Sequence, residues 1–228
     1  MIEKLKAIPL FSNLEDKYFS KIIHLIKHLE FEKGAQIFSE GDPGNGFYIV
    51  ERGKVKIFKL SFEGKEHILH IYGPGKPFGE VPVFEGNNFP ASAMAMTKSQ
   101  IIFIPRDKFA NLILDTPGLA MNMLGMLSMR LREFTIQIEN LSLKEVPARL
   151  ASYILTLARE HDETEKVLLP ISKAQLANLI GTTPETVSRV LKKMADSSLI
   201  RVDTRTILIQ DYEGLINLSD SGRLDSIL

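Results

Sequence analysis

Residues Ile171 to Met194, ISKAQLANLIGTTPETVSRVLKKM, leave their backbone few choices. Ser172 is placed to cap a helix, and Gln175 three residues on completes a capping box. Ala174, Leu176, Ala177 and Ile180 give that helix an apolar face. Gly181 ends it, because glycine enters the left-handed region without a steric penalty. Thr183 then caps a second helix whose first residue, Pro184, lacks an N–H that would go unused there. Val187, Val190, Leu191 and Met194 form its buried stripe. Thr182, Glu185, Thr186, Ser188, Arg189, Lys192 and Lys193 face outward. Helix, tight turn and polar second helix is the pattern that lays one helix in a DNA major groove. Arg189 suits the O6 and N7 of guanine, and Glu185, one turn earlier, suits a cytosine amine. The same pattern also fits an ordinary helical hairpin, with Glu185 and Arg189 as a surface ion pair.

Charge and composition narrow the function classes. The 228 residues carry 28 basic and 28 acidic side chains, so any attraction to nucleic acid is local. Between 181 and 205 five basic residues (Arg189, Lys192, Lys193, Arg201, Arg205) face three acidic ones. The absence of cysteine excludes disulfides, thiolate nucleophiles and cysteine-held zinc or iron–sulfur clusters. The N-terminus has no apolar core of the signal-peptide kind, and no apolar run reaches the roughly 18 residues of a membrane span. A cytoplasmic protein without membrane contact is expected.

Residues 1–30 read as helical, with Ser12 or Asn13 as cap and Phe19, Ile22, Ile23, Ile26 and Leu29 at helical spacing. His24 and His28 then share a face, open to a metal or haem role, but Lys17 and Lys21 share it too and favour a solvated surface. From 31 to 110 the character changes. Ten of the chain's 15 glycines fall between 34 and 86, separating short β-branched and aromatic runs such as GFYIV, KVKIFKL, HILHIY and QIIFI. Many short strands with glycine turns make a barrel, roll or sandwich. His67 and His70, three apart in a strand, are expected on opposite faces. The stretch GKPFGEVPVFEGNNFPASA breaks the strand rhythm. Phe78, Gly79, Glu80 and Val81, followed by Ala91 and Ser92, make it either a ligand loop or a structural one.

A long helix is expected over 111–142. Ala120, Leu124, Leu127, Leu131, Phe134, Ile138 and Leu141 recur at steps of 4 and 3, a coiled-coil seam. A seam this narrow predicts a partner helix, most simply from a second copy. Pro147 marks a hinge. A helix from Ala148 to Glu160, the polar run HDETEK, the opening motif and a hairpin around Asp203-Thr204 follow, with a weak short helix at the end. The hairpin would be the wing of a winged helix, with Arg201 and Arg205 near phosphates.

This order of parts resembles the cAMP receptor protein / fumarate–nitrate reductase regulator (CRP/FNR) family over nearly the whole chain. The matching motifs are PLF near the N-terminus, FEKGAQIFSEGDPGNGFYIVERGKVKIF, GKPFGEVPVFEG and GTTPETVSRVLKKM. The resemblance implies an α+β chain in three parts: a β-roll of the cyclic-nucleotide-binding kind over 1–115, a dimerisation helix over 116–143, and a winged helix-turn-helix over 144–228. It implies a homodimeric transcription regulator on two-fold related DNA half-sites, RNA polymerase as partner, and a small-molecule effector in the roll. It assigns Glu185, Ser188 and Arg189 to bases, on the pattern of the TTGAT-like reader. Thr182, Thr183, Thr186, Lys192, Lys193 and Arg201 complete the DNA surface. Leu131, Phe134 and Thr135 of the long helix join the 78–81 and 91–92 segments around the effector, and Leu124, Leu127, Leu131, Phe134, Ile138 and Leu141 line the dimer seam.

The departures bear on the effector. Members that bind cAMP pair its phosphate with an Arg-Ser step, where this chain has Pro90-Ala91, and no arginine occurs between Arg52 and Arg106. The adenine-contacting Thr-Ser pair corresponds to Phe134-Thr135. A phosphate without its arginine is a costly unpaired charge, so cAMP is disfavoured. An iron–sulfur cluster is excluded by the lack of cysteine. Haem with a gaseous ligand, another small metabolite, or no ligand remain. The alternatives are a cyclic-nucleotide-responsive regulator and a cupin-like metal enzyme, for which the paired His and following Glu are missing.

Overall fold

The computed structural model describes residues 2–12, 14–160 and 163–221. The chain divides into two compact units, 1–131 and 132–228.

The first unit opens with α1 (Ile2–Lys6), a 3-10 turn (Pro9–Phe11) and α2 (Asp16–Leu25). The helix expected to run to residue 30 stops at Leu25, and β1 (Lys27–Phe31) begins. β1 pairs antiparallel with β8 (Ser99–Pro105), with Leu29 opposite Ile101. That ladder outweighs a local helical pattern, as tertiary pairing often does. His24 and His28 therefore do not share a helix face. Ser12 donates its hydroxyl to the Pro9 carbonyl at 2.8 Å rather than capping α2, which starts after Glu15 with no side-chain cap. Asn13 lies outside the described residues.

Two four-stranded antiparallel sheets make the roll. One has the order β1-β8-β3-β6, with β3 at Gly46–Arg52 and β6 at Pro77–Phe78. The other has the order β2-β7-β4-β5, with β2 at Gln36–Phe38, β7 at Ser92–Ala95, β4 at Val55–Leu60 and β5 at Glu66–Tyr72. Val81–Glu85, read from sequence as loop, forms a short helix α3 with Pro82 in its first turn and Gly86 as its left-handed cap. The β4–β5 register shifts between Ile57 and Phe58. The extra residue in β5 lets His70 pair with Ile57 and His67 with Lys59, two residues of one β4 face. The bulge thus overturns the expectation that the two histidines point apart.

Phe11, Phe19, Phe47, Ile49, Ile104 and Phe109 form one core cluster, which Leu119 and Met123 join. Phe38, Val50, Tyr72, Phe78, Phe89 and Ile101 form a second inside the roll. The helix expected over 111–142 is two: α4 (Arg106–Asp115) and α5 (Pro117–Leu143), bent by 116° around Thr116. Asn122 secures the start of α5 by donating to the carbonyls of Leu10 at 3.1 Å and Ser12 at 2.8 Å. No single helix among the described residues is long and apolar enough to cross a membrane.

The second unit holds α6 (Val146–Glu160), β9 (Lys166–Leu168), α7 (Lys173–Ile180), α8 (Pro184–Asp196), β10 (Ile200–Asp203), β11 (Thr206–Ile209) and α9 (Tyr212–Ser221). The break before α6 falls at Lys144–Glu145, so Pro147 sits in the first turn of α6, where proline is tolerated. α9 packs along α6, a stronger closing helix than the sequence suggested; 222–228 lie outside the described residues. β9, also unforeseen, turns the hairpin into a three-stranded sheet of order β10-β11-β9.

Candidate nucleic-acid interface and effector roll

The opening motif is organised as its residues dictate. Ser172 accepts from the Gln175 N–H at 3.2 Å, and Gln175 accepts from the Ser172 N–H at 3.0 Å. Gly181 closes α7 at φ 69. Thr183 caps α8, accepting from the Thr186 N–H at 3.3 Å. Leu176, Ala177 and Ile180 of α7 and Val187, Val190, Leu191 and Met194 of α8 are buried. Ala174, assigned to the apolar face, is exposed. Arg149 of α6 braces the pair, donating to the Ile180 carbonyl at 2.7 Å and the Lys144 carbonyl at 3.0 Å. Sequence reasoning missed that brace, because its acceptors are backbone atoms 31 and 5 residues away.

What α8 leaves outside is polar. Glu185, Ser188, Arg189, Lys192 and Lys193 are exposed, and Thr182 and Thr186 are half-buried. Among the described residues no ion pair joins Glu185 to Arg189, and Arg189, Lys192, Lys193 and Arg201 have none at all. The Glu185 carboxyl is held below its ordinary range by its own N–H first and by the Thr183 hydroxyl second, which turns it toward the helix start. Thr204, at φ 54, makes the wing turn, with Arg201 and Arg205 exposed beside it. The helix thus presents Glu185, Ser188 and Arg189 together on its exposed face, and the wing offers two further cations.

In the roll the expected ligand segments converge on rings. Phe38 stacks on Phe89 at 3.8 Å and on Tyr48 at 5.5 Å, and Phe78 lies between Tyr48 at 5.3 Å and Tyr72 at 6.0 Å. Gly79, at φ +71, lets its backbone approach the Phe38 and Phe89 rings, which a Cβ there would meet at 3.2 Å. Ala91 is buried, Val81 is half-buried, and the Ser92 hydroxyl accepts the Glu40 N–H at 2.9 Å. Glu80 is 5% exposed and pairs with Arg130 of α5. Arg130 also donates to the Pro77 carbonyl at 2.8 Å and lies over the Tyr72 ring at 4.9 Å. Sequence reading passed over Arg130, although it flanks the apolar seam one residue before Leu131; its partner lies 50 residues away. Leu131 and Thr135 are exposed and Phe134 half-buried.

The seam residues Leu124, Leu131, Ile138 and Leu141 are 57%, 68%, 65% and 40% exposed. Leu127 instead packs on its own unit's core. Met129, Ile136 and Leu143 add a second exposed apolar row at heptad spacing. The residues do not fit a haem ligand set. His24 is exposed, His28 is exposed and pairs with Glu51 at 3.2 Å, and His67 and His70 are both half-buried on β5, with His70 against Tyr72 beside a cluster of stacked rings.

Comparison gives the kin of a β-roll joined in sequence to a winged helix. A cyclic nucleotide-binding domain matches residues 28–116 and a Crp-like helix-turn-helix domain matches 148–218. The chain is 31% identical to a CRP-like cAMP-activated global transcriptional regulator of Mycobacterium tuberculosis, covering 94% of this chain and 98% of that one. It is 32% identical to the cyclic AMP receptor protein of Thermus thermophilus, covering 91% and 94%. Among solved structures, a CooA mutant from Carboxydothermus hydrogenoformans superposes with a TM-score of 0.78 at 25% identity, covering 91% of this chain and 93% of that one. The chain belongs to the CRP/FNR family of DNA-binding transcription regulators. Its relatives are regulators, not enzymes, which sets the cupin-like reading aside.

Proposed function

We propose that this regulator works in the cytoplasm as a homodimer on two-fold related DNA half-sites. Glu185, Ser188 and Arg189 read bases. Thr182, Thr183, Thr186, Lys192, Lys193 and Arg201 hold phosphates, and RNA polymerase is the downstream partner. The observation that carries this reading is Arg189. It is exposed and unpaired among the described residues, one turn beyond Glu185 on a helix whose other face is buried. Exposed Leu124, Leu131, Ile138 and Leu141 supply the dimer seam, with Phe134 at its edge and Leu127 turned to its own core. In a dimer of this kind an effector acts by favouring one arrangement of the two reading heads. The Glu80–Arg130 pair is the route by which the roll senses α5.

The effector is not cAMP in this proposal, because Pro90 and Ala91 stand where a phosphate needs arginine. The cAMP-activated relatives make the opposite reading the natural comparator. Selection of bound sites from random DNA tests the output. Wild type should enrich a two-fold motif, and Arg189→Ala should lose one base preference in each half-site. Enrichment of the same motif by both proteins would remove Arg189 from the reader. Calorimetry with cAMP tests the input, and micromolar binding would overturn the argument from Pro90.

A further inference from the structure

We propose that Thr116 makes the joint between α4 and α5 a two-state pivot. In this structure the start of α5 is uncapped; in the second state the Thr116 hydroxyl caps it and α5 is re-aimed against α4. The pivot stands by itself, and what it does to a dimer rests on the reading of α5 as the dimer helix.

Two Thr-Pro steps in this chain open helices, and they are built differently. At Thr183-Pro184 the backbone is extended, with φ −104 and ψ 154, as a residue before proline ordinarily is. The Thr183 hydroxyl accepts from the Thr186 N–H at 3.3 Å, and the Thr183 carbonyl accepts from the Val187 N–H at 3.0 Å. At Thr116-Pro117 φ is −141 and ψ is 77. The Thr116 carbonyl takes the Leu119 N–H at 2.9 Å, the donor three residues on that a capping hydroxyl would use. The Thr116 hydroxyl is left over. Thr116 is 4% exposed, and among the described residues its Oγ1 is the one buried side-chain nitrogen or oxygen without a hydrogen-bond partner. A buried polar atom with its bond unmade is destabilising, so this arrangement forgoes a cap that the sequence supplies.

Other contacts hold α5 against that preference. Asn122 donates to the Leu10 and Ser12 carbonyls at 3.1 and 2.8 Å, and Leu119 and Met123 are buried in the core cluster. Lys21 pairs with Asp115 at 2.7 Å beside the pivot, but both side chains are more than half exposed and such a pair contributes little. The link itself is open. Pro117 and Gly118 are exposed, and a Cβ at Gly118 would meet Leu14 no closer than 4.0 Å. Glycine there lets a change in the Thr116 backbone be taken up over 116–118 without drawing Leu119 from the core. Two opposed preferences thus act on one bend of 116°. Asn122 favours the uncapped form and the Thr116 hydroxyl the capped one. α5 runs 27 residues from the pivot, so a small turn at its start displaces its far end.

The chain has no cysteine, so Asn111→Cys on α4 and Gly125→Cys on α5, both exposed, give a clean nitroxide pair. Labelled chain is diluted in unlabelled chain, and the spin–spin distance is read within one chain. With Thr116 and Asn122 intact two distance populations are expected, the bent uncapped form being the larger. Thr116→Val, which keeps the branched shape and loses the acceptor, should leave that form alone, and Thr116→Ser should keep both. Asn122→Leu, losing two hydrogen bonds, should raise the minor population about fivefold or more. Thr116→Val should also melt within about 2 °C of wild type, because it deletes only an unpaired hydroxyl. The pivot is overturned if Thr116→Val leaves the distance distribution as it was, if Asn122→Leu does not raise the minor population, or if Thr116→Val melts well below wild type. The measurement uses neither DNA nor effector, so its failure is separate from failure of the Arg189 selection.

Discussion

Among the described residues Arg189 has no partner, and in the proposed complex a guanidinium kept unpaired on a helix is already arranged for a base. Arg189→Ala should cost about 1–3 kcal/mol of specific binding, measured by titrating a two-fold site against a scrambled duplex. Lys192→Gln behaves differently. It should weaken all sequences alike and lower the slope of log affinity against log salt by about 1. His70 answers to pH through stability. Its folded pKa of about 4 lies below the ordinary 6.5, so the unfolded chain takes up the proton first. The stabilising contribution is whole above about pH 6.5 and is lost as the pH falls toward 4. Urea unfolding at pH 7 and pH 5 should show wild type losing about 1–2 kcal/mol more than His70→Gln across that interval. An equal loss in both proteins would place the acid sensitivity elsewhere. Arg189 was legible because its neighbours cap and bury the helix within a dozen residues. Arg130 was not, because Glu80, the residue that gives it meaning, becomes its neighbour only once α5 lies on the roll.

At the scale of elements, the parts built from local chemistry were readable and those built by pairing were not. The caps of α7 and α8, the glycine turn and the β10–β11 hairpin all follow from residues within a few positions. Gly181→Ala should therefore destabilise the second unit by about 1–2 kcal/mol, read as a fall in thermal midpoint, since alanine at φ 69 meets the left-handed penalty. β1 was read as helix because Ile26 and Leu29 continue the α2 spacing; only β8, some 70 residues away, makes a strand of it. The β5 bulge was invisible for the same reason, since a register shift is a property of two strands. α3 was hidden by its proline, which marks a break in a strand but a start in a helix.

For the whole molecule, the proposed dimer rests on the exposed leucine seam of α5. Leu131→Asp with Ile138→Asp should convert a dimer to monomers in sedimentation and reduce binding to a two-fold site to that of a single half-site, with α5 itself still helical by circular dichroism. A variant that stays dimeric would assign the interface to another surface, the row Met129, Ile136 and Leu143 first. The change of periodicity near residue 111 marks where strands give way to helices, whereas the two compact units divide at 131/132, within α5, and the turn into α5 at Thr116 is hidden because apolar spacing runs on through it. The bulge in β5 has a consequence for lineages as well as for molecules. A single inserted or deleted codon beside Leu69 exchanges the residues that face the roll's interior while the strands on either side keep their partners. If the roll takes an effector as proposed, descendants of one such regulator could change what they respond to in a single genetic step, with the winged helix and the α5 seam inherited intact.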